Sequence, residues 1–185
     1  MDIETLKYPI GKYQPPAEVT DEIFSQWIET LATLPEKLKK LVGNLSYDEL
    51  DMNYRPGSWS IKQVVHHLAD SHMNSFLRFK WILTEEKPTI KTYNEVEWAK
   101  TADANNEEIM ESIEILGGVH NRLIMLLKSL NNDQKKRPFI HPEYGEEFML
   151  EWLIGLYAWH SRHHLTHIKQ AIEMEGEFTP EKVAE

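Results

Sequence analysis

Trp159-His160-Ser161-Arg162-His163-His164-Leu165-Thr166-His167 holds four of the chain's nine histidines within eight residues. The stretch lies inside an apolar-periodic run from about Met149 to Met174, which predicts a helix. On that helix His160 and His164 are four apart and stand one above the other on the same face. One helix offers two imidazoles to a single metal ion in this way. Leu153, Tyr157, His160, His164, His167 and Ala171 fall within roughly 80° of arc at 3.6 residues per turn. The histidines therefore share a stripe with core-type residues. Imidazoles buried on such a stripe each need a partner, and a metal ion suits the spacing best. His163 and His167 form a competing pair, also four apart. His163 lies further round from Tyr157, which favours His160 and His164.

Two histidines on one helix make half a site. Catalytic zinc sites use three protein ligands and leave a fourth position for water, so a third imidazole is expected from another helix. Ser60 with Gln63 three residues on is a capping box, and the helix it opens runs to about Thr84. Its apolar face is Ile61, Val65, Leu68, Phe76, Phe79 and Leu83. A second stripe reads His67, Ser71, Asn74, Arg78, and the few charges before Glu85 favour a pocket lining over a solvent face. His66 and His67 are both candidate ligands. They point about 100° apart, so only one is expected to reach the metal. His67 is preferred because it shares its stripe with Ser71 and Asn74. Asp70, one turn on, is a candidate acceptor for the free N–H of His67. Imidazole donors suit zinc, nickel, copper and iron alike.

The remaining pattern is helical. Thr20 or Asp21 caps a first helix whose apolar face is Ile23, Trp27, Leu31 and Leu34. Pro35 predicts a kink or break there; the pattern resumes with Leu38 and Leu41 and stops near Gly43. A third long helix spans about 106–130 with the stripe Ile109, Ile113, Leu116, His120, Leu123, Leu127. His120 reads as a hydrogen-bonded core histidine, whereas His72 and His141 have no supporting pattern. Residues 1–18 are Pro-rich and irregular, with interleaved Tyr and Ile, and are expected to form an arm packed on the body. The connection 85–105 is long enough to cover something or carry function. A small hairpin is expected around Tyr144-Gly145, Gly176 as a C′ residue, and a frayed tail over 177–185. These elements predict an all-α four-helix bundle with long connections, one domain over 1–185.

The formal charge is −10 and the basic residues are dispersed, which argues against nucleic acid or an anionic membrane as partner. The absence of Cys excludes thiolate ligands and an enzyme-borne thiol nucleophile, and fits a cytoplasmic location. The N-terminus lacks the pattern of a signal peptide, and no apolar run reaches membrane-spanning length.

Three stretches together resemble the YfiT group of the DinB-like superfamily: Tyr8-Pro9-Ile10-Gly11-Lys12-Tyr13, Trp59 to Ser75 with His66-His67-Leu68-Ala69-Asp70, and Leu156-Tyr157-Ala158-Trp159-His160-Ser161-Arg162-His163-His164. The resemblance covers nearly the whole chain. It implies a four-helix bundle, a cytoplasmic homodimer and one divalent metal, Zn2+ or Ni2+, held by three histidines. Matched by motif, these are His67, His160 and His164. Many superfamily members have Gln at the position of His167, which is expected to line the pocket. The implied activity is metal-dependent hydrolysis of a small molecule. The alternative is a metal-dependent S-transferase using a low-molecular-weight thiol of the bacillithiol type, and a further alternative is a metal-binding bundle without catalysis. Asp70 and His167 are the candidate groups for proton transfer, alongside His120.

Overall fold

The structure is a computed structural model and describes residues 2–178. The arm opens with a short helix, α1 (Ile3–Lys7). The first long helix, α2, covers Asp21–Val42, and its N-terminus is closed by Thr20, whose Oγ1 accepts from Ile23 N–H. A single turn, α3 (Tyr47–Leu50), begins at the Ser46/Glu49 capping box. The second long helix, α4 (Ile61–Thr84), begins at the Ser60/Gln63 capping box. Then come the turn α5 (Glu95–Trp98) and a 3-10 turn at Asp103–Asn105. The third long helix is α6 (Met110–Lys128), followed by the turn α7 (Asn132–Lys135). An antiparallel hairpin pairs β1 (Pro138–His141) with β2 (Glu146–Met149), Phe139 opposite Phe148. Gly145 stands in the turn at φ 65°, a left-handed conformation that suits glycine. The fourth long helix, α8, runs Leu150–Glu173.

The long helices pack as a bundle in which α4 meets α6 and α8, and α2 meets α6 and α8. Thus α2 and α4, consecutive in sequence, stand at opposite corners, and so do α6 and α8. Each diagonal pair needs a connection that crosses the end of the bundle, which accounts for the lengths of 43–60 and 129–149. The 85–109 connection joins neighbours and does other work. Gln63 Nε2 donates to Ala99 O at 2.9 Å, and Thr89 bridges to Ile140 of the hairpin.

Several expectations need correction. The arm is not wholly irregular, since α1 forms within it. It is packed as expected: Tyr13 Oη donates to Trp152 O, and Trp159 Nε1 donates to Gly11 O. Pro35 does not break α2, which continues seven residues past it to Val42. Proline removes the N–H that would bond the Leu31 carbonyl. His120 Nδ1 takes that carbonyl at 2.6 Å, so the buried acceptor is satisfied from a neighbouring helix. Gly176, with φ 70°, lies two residues past the Met174 C-cap, one later than a C′ residue. The expected tail at 177–185 falls, from 179 on, outside the described residues.

The core has two apolar clusters. One gathers Leu34, Leu38, Val65, Leu68, Leu116 and Ile168; the other gathers Leu31, Phe79, Ile82, Leu123, Leu153 and Ile154. On α4, α6 and α8 the residues beside these clusters include the buried histidines His67, His72, His120, His163, His164 and His167, with His160 half-buried among them. A polar band therefore crosses the bundle at mid-height.

Candidate metal centre

Residue spacing on the two helices sets the site. His160 and His164, one turn apart on α8, face His67 of α4, and candidate ligand atoms of the three lie within 4.8 Å of one another. His67 Nε2 and His160 Nε2 are 3.1 Å apart. Two nitrogens on a tetrahedral zinc at about 2.05 Å would be roughly 3.3 Å apart, so this pair needs little adjustment, while separations in the trio of up to 4.8 Å would have to close around an ion. His164 Nδ1 is buried without a hydrogen-bond partner. Three convergent imidazoles with facing nitrogens and no carboxylate among them fit a divalent cation of borderline softness.

Electrostatics agrees with that use. Burial, and then the neighbouring His163, pushes His67 down to about 4. His160 and His164 are held well below the usual imidazole range, by burial first and then by the imidazoles around them. All three are neutral at pH 7, the form that ligates.

The other candidates separate clearly. His66 turns to α6: its Nδ1 lies 2.8 Å from Ser112 Oγ and its Nε2 2.9 Å from Asn106 O. The expected 100° between His66 and His67 thus sends one into the helix interface and the other to the cluster. His163 stacks on Trp159 at 4.5 Å and 18°. His167 stacks on Tyr54 at 3.8 Å and 9°, and its Nε2 donates to Lys7 O at 3.1 Å. A carbonyl can only accept, so the neutral His167 ring carries its hydrogen on Nε2 and leaves Nδ1 bare; that Nδ1 is buried and partnerless. Asp70 is half-buried. Its carboxyl is raised by burial first and then by Asp103, against the pull of His66. It is not among the residues lining the cavity at the cluster.

That cavity has a volume of about 500 Å³ and is walled by the cluster, by His163 and His167, and by Trp159. Lys7 and Tyr8 of the arm, Tyr54, Arg55 and Trp59 before α4, and Glu95 of the long connection complete it. The volume is that of a small-molecule site. Behind His160 the stripe Ser71 and Arg78 is buried, with Asn74 partly so. Arg78 donates through Nε and Nη2 to Lys91 O and through Nη1 to Tyr157 Oη, pinning the long connection over the bundle.

Two features escaped sequence reasoning. The arm and the turn before α4 supply much of the cavity wall, and only contacts across more than a hundred residues reveal that. His72 is fully buried against His120 and His160. A signal for it existed: His72 continues the apolar stripe Ile61, Val65, Leu68 at helical spacing.

Comparison with known proteins places this geometry in context. Residues 30–168 match the DinB superfamily. YfiT of Bacillus subtilis, provisionally named a metal-dependent hydrolase, is 45% identical over 165 residues, covering 89% of this chain and 93% of that protein. A protein of Oceanobacillus iheyensis with the same provisional name is 45% identical over 162 residues, covering 88% and 93%. The solved structure of B. subtilis YfiT, described as an unusual four-helix-bundle topology, superposes with a TM-score of 0.89 at 44% identity, covering 93% of this chain and 98% of that one. No helix among the described residues is long and apolar enough to cross a membrane. With its diagonal bundle, its histidine cluster and these relatives, the chain belongs to the DinB superfamily and sits beside YfiT within it.

Proposed function

We propose that this protein is a metal-dependent hydrolase of small molecules, with one divalent cation, Zn2+ or Ni2+, held by His67, His160 and His164. The observation that carries the reading is the convergence of three imidazoles, His67 and His164 buried and His160 half-buried, on the wall of a cavity of about 500 Å³. The provisional names of the relatives support it. A cation bound there supplies Lewis acidity and makes water a nucleophile near neutral pH. The chain's residues do the rest. His67, His160 and His164 stay unprotonated because burial disfavours their charged forms. Trp59 and Trp159 give the cavity apolar walls, while Lys7 and Arg55 favour an anionic group on the substrate. His167, its Nδ1 bare because Nε2 is committed to Lys7 O, is the candidate proton acceptor beside the cluster, a weak one because burial pushes it down to about 3. Asp70, without a place on the cavity wall, is the weaker candidate for that role.

Elemental analysis of the purified protein tests the site. About one equivalent of zinc or nickel per chain, lost in His164→Ala, is expected; no metal after reconstitution would overturn the reading. Hydrolytic turnover with metal alone is then expected in an ester, amide and phosphoester screen. A strict requirement for an added low-molecular-weight thiol, with formation of a thioether conjugate, would replace hydrolysis by S-transfer. The homodimer and the cytoplasmic location are part of the proposal, and light scattering on the eluted protein reads the first.

A further inference from the structure

A carbonyl on α2 sets the hydrogen-bond direction of a chain of imidazoles that ends at the cluster. Pro35 has no N–H, so the Leu31 carbonyl lacks its helical donor. His120 Nδ1 lies 2.6 Å from that oxygen. The oxygen can only accept, so the hydrogen of His120 is on Nδ1. Buried rings with no carboxylate partner are neutral and carry one hydrogen each. His120 Nε2 is therefore bare, and it faces His72 Nδ1 at 2.9 Å. His72 must donate from Nδ1, which leaves its own Nε2 bare. That atom faces His160 Nδ1 at 3.4 Å. The same step places the hydrogen of His160 on Nδ1 and bares its Nε2, the nitrogen 3.1 Å from His67 Nε2. His72 and His120 are 0% and 2% exposed, so water does not compete for these contacts. The polarity cannot run in reverse, because its far end is an oxygen with no hydrogen to give.

We propose that His72 and His120, anchored on the carbonyl that Pro35 leaves free, are positioning residues: they fix the tautomer and ring orientation of His160 so that its Nε2 points to the metal. This rests on the reading of His160 as a ligand. Metal-binding histidines commonly donate their second N–H to a carboxylate or carbonyl; here two further imidazoles relay that role from a backbone carbonyl.

Long-range 1H–15N NMR of the metal-free full chain at pH 7.5 reads the tautomers directly. His72, His120 and His160 are expected in the Nδ1–H form, and an Nε2–H form at His72 or His120 overturns the proposal. This arm stands even if the protein binds no metal, so it separates the proposal from the ligand assignment. The second arm is Zn2+ affinity by chelator competition. His72→Phe keeps a ring but no nitrogen and is expected to bind about 10–100-fold more weakly, at unchanged stoichiometry. His72→Gln offers one donor and one acceptor and is expected to recover much of the loss. Phe equal to wild type, or Phe binding better than Gln, would mean that the position only fills space.

Discussion

Gly155 of α8 sits where the arm and α2 press on the helix. A Cβ built there would run into the Tyr13 hydroxyl and come within 2.7 and 2.8 Å of two ring carbons of Trp27. Gly155→Ala sets two effects against each other. In a helix interior alanine gains about 1 kcal/mol over glycine. Overpacking costs about 1–3 kcal/mol, and a displaced Tyr13 would lose its bond to Trp152 O, worth about 1 kcal/mol. Trp27 is half-buried against the second apolar cluster, so pushing its ring aside disturbs that packing. Steric cost wins, giving a net loss of about 1–3 kcal/mol. For a chain of this size that lowers Tm by about 2–12 °C. Calorimetry would show it, together with faster proteolysis within residues 8–16 as the arm lifts. A rise in Tm, the outcome helix propensity alone would give, would refute the argument and mean that arm and helix are not in tight contact.

His66→Ala should keep the full metal equivalent and lose about 1–3 kcal/mol in urea unfolding, because its partners Ser112 and Asn106 are left unpaired; loss of metal instead would move the ligand from His67 to His66. Arg78→Leu should release the Lys91 carbonyl and speed amide exchange across residues 91–94, at about 2 kcal/mol of local stability. Arg78→Lys should not restore it, since an ammonium cannot make the forked contact; unchanged exchange would show that the connection is held elsewhere. For the metal-free protein, acid should destabilise well before carboxylates titrate. Burial pushes His120 down to about 4, against the opposing pull of the Leu31 carbonyl, while the unfolded value is about 6.5. The unfolded chain binds the proton first, so the contribution is complete above about pH 6.5 and lost as pH falls, about 3 kcal/mol by pH 4. Urea midpoints measured from pH 7.5 to 4 should fall with that slope, more shallowly in His120→Phe; a flat profile would mean that His120 is protonated in the folded state.

The legible parts of this molecule were those written in local spacing. The four long helices, the capping box at Ser60, the hairpin at Gly145 and the pairing of His160 with His164 on one helix face all follow from residues within a few positions of each other. What sequence reading missed depends on distant partners. Pro35 looked like a break because the donor that rescues Leu31 sits 89 residues away on His120. Asp70 looked like the natural support for His67 because it is one turn away, yet it has no place on the cavity wall at the cluster. His72 was passed over because its meaning lies in rings on two other helices. The diagonal helix order could not be inferred from amphipathic stripes, which say that a face is buried but not against which neighbour.

The mid-height band of histidines has a consequence for how the chain finds its fold. Leucine-rich surfaces are forgiving: one helix can slide along another by a turn, about 5.4 Å, and still bury its apolar face. Imidazoles at one height on three helices, keyed to a single free carbonyl on the fourth, act as notches on a ruler. A one-turn slip of α6 would set His120 against leucines and strand the Leu31 oxygen. Buried polar groups elsewhere select helix register at a cost in stability. In this bundle the histidine band that carries the proposed metal site also tells four interchangeable helices which alignment is theirs.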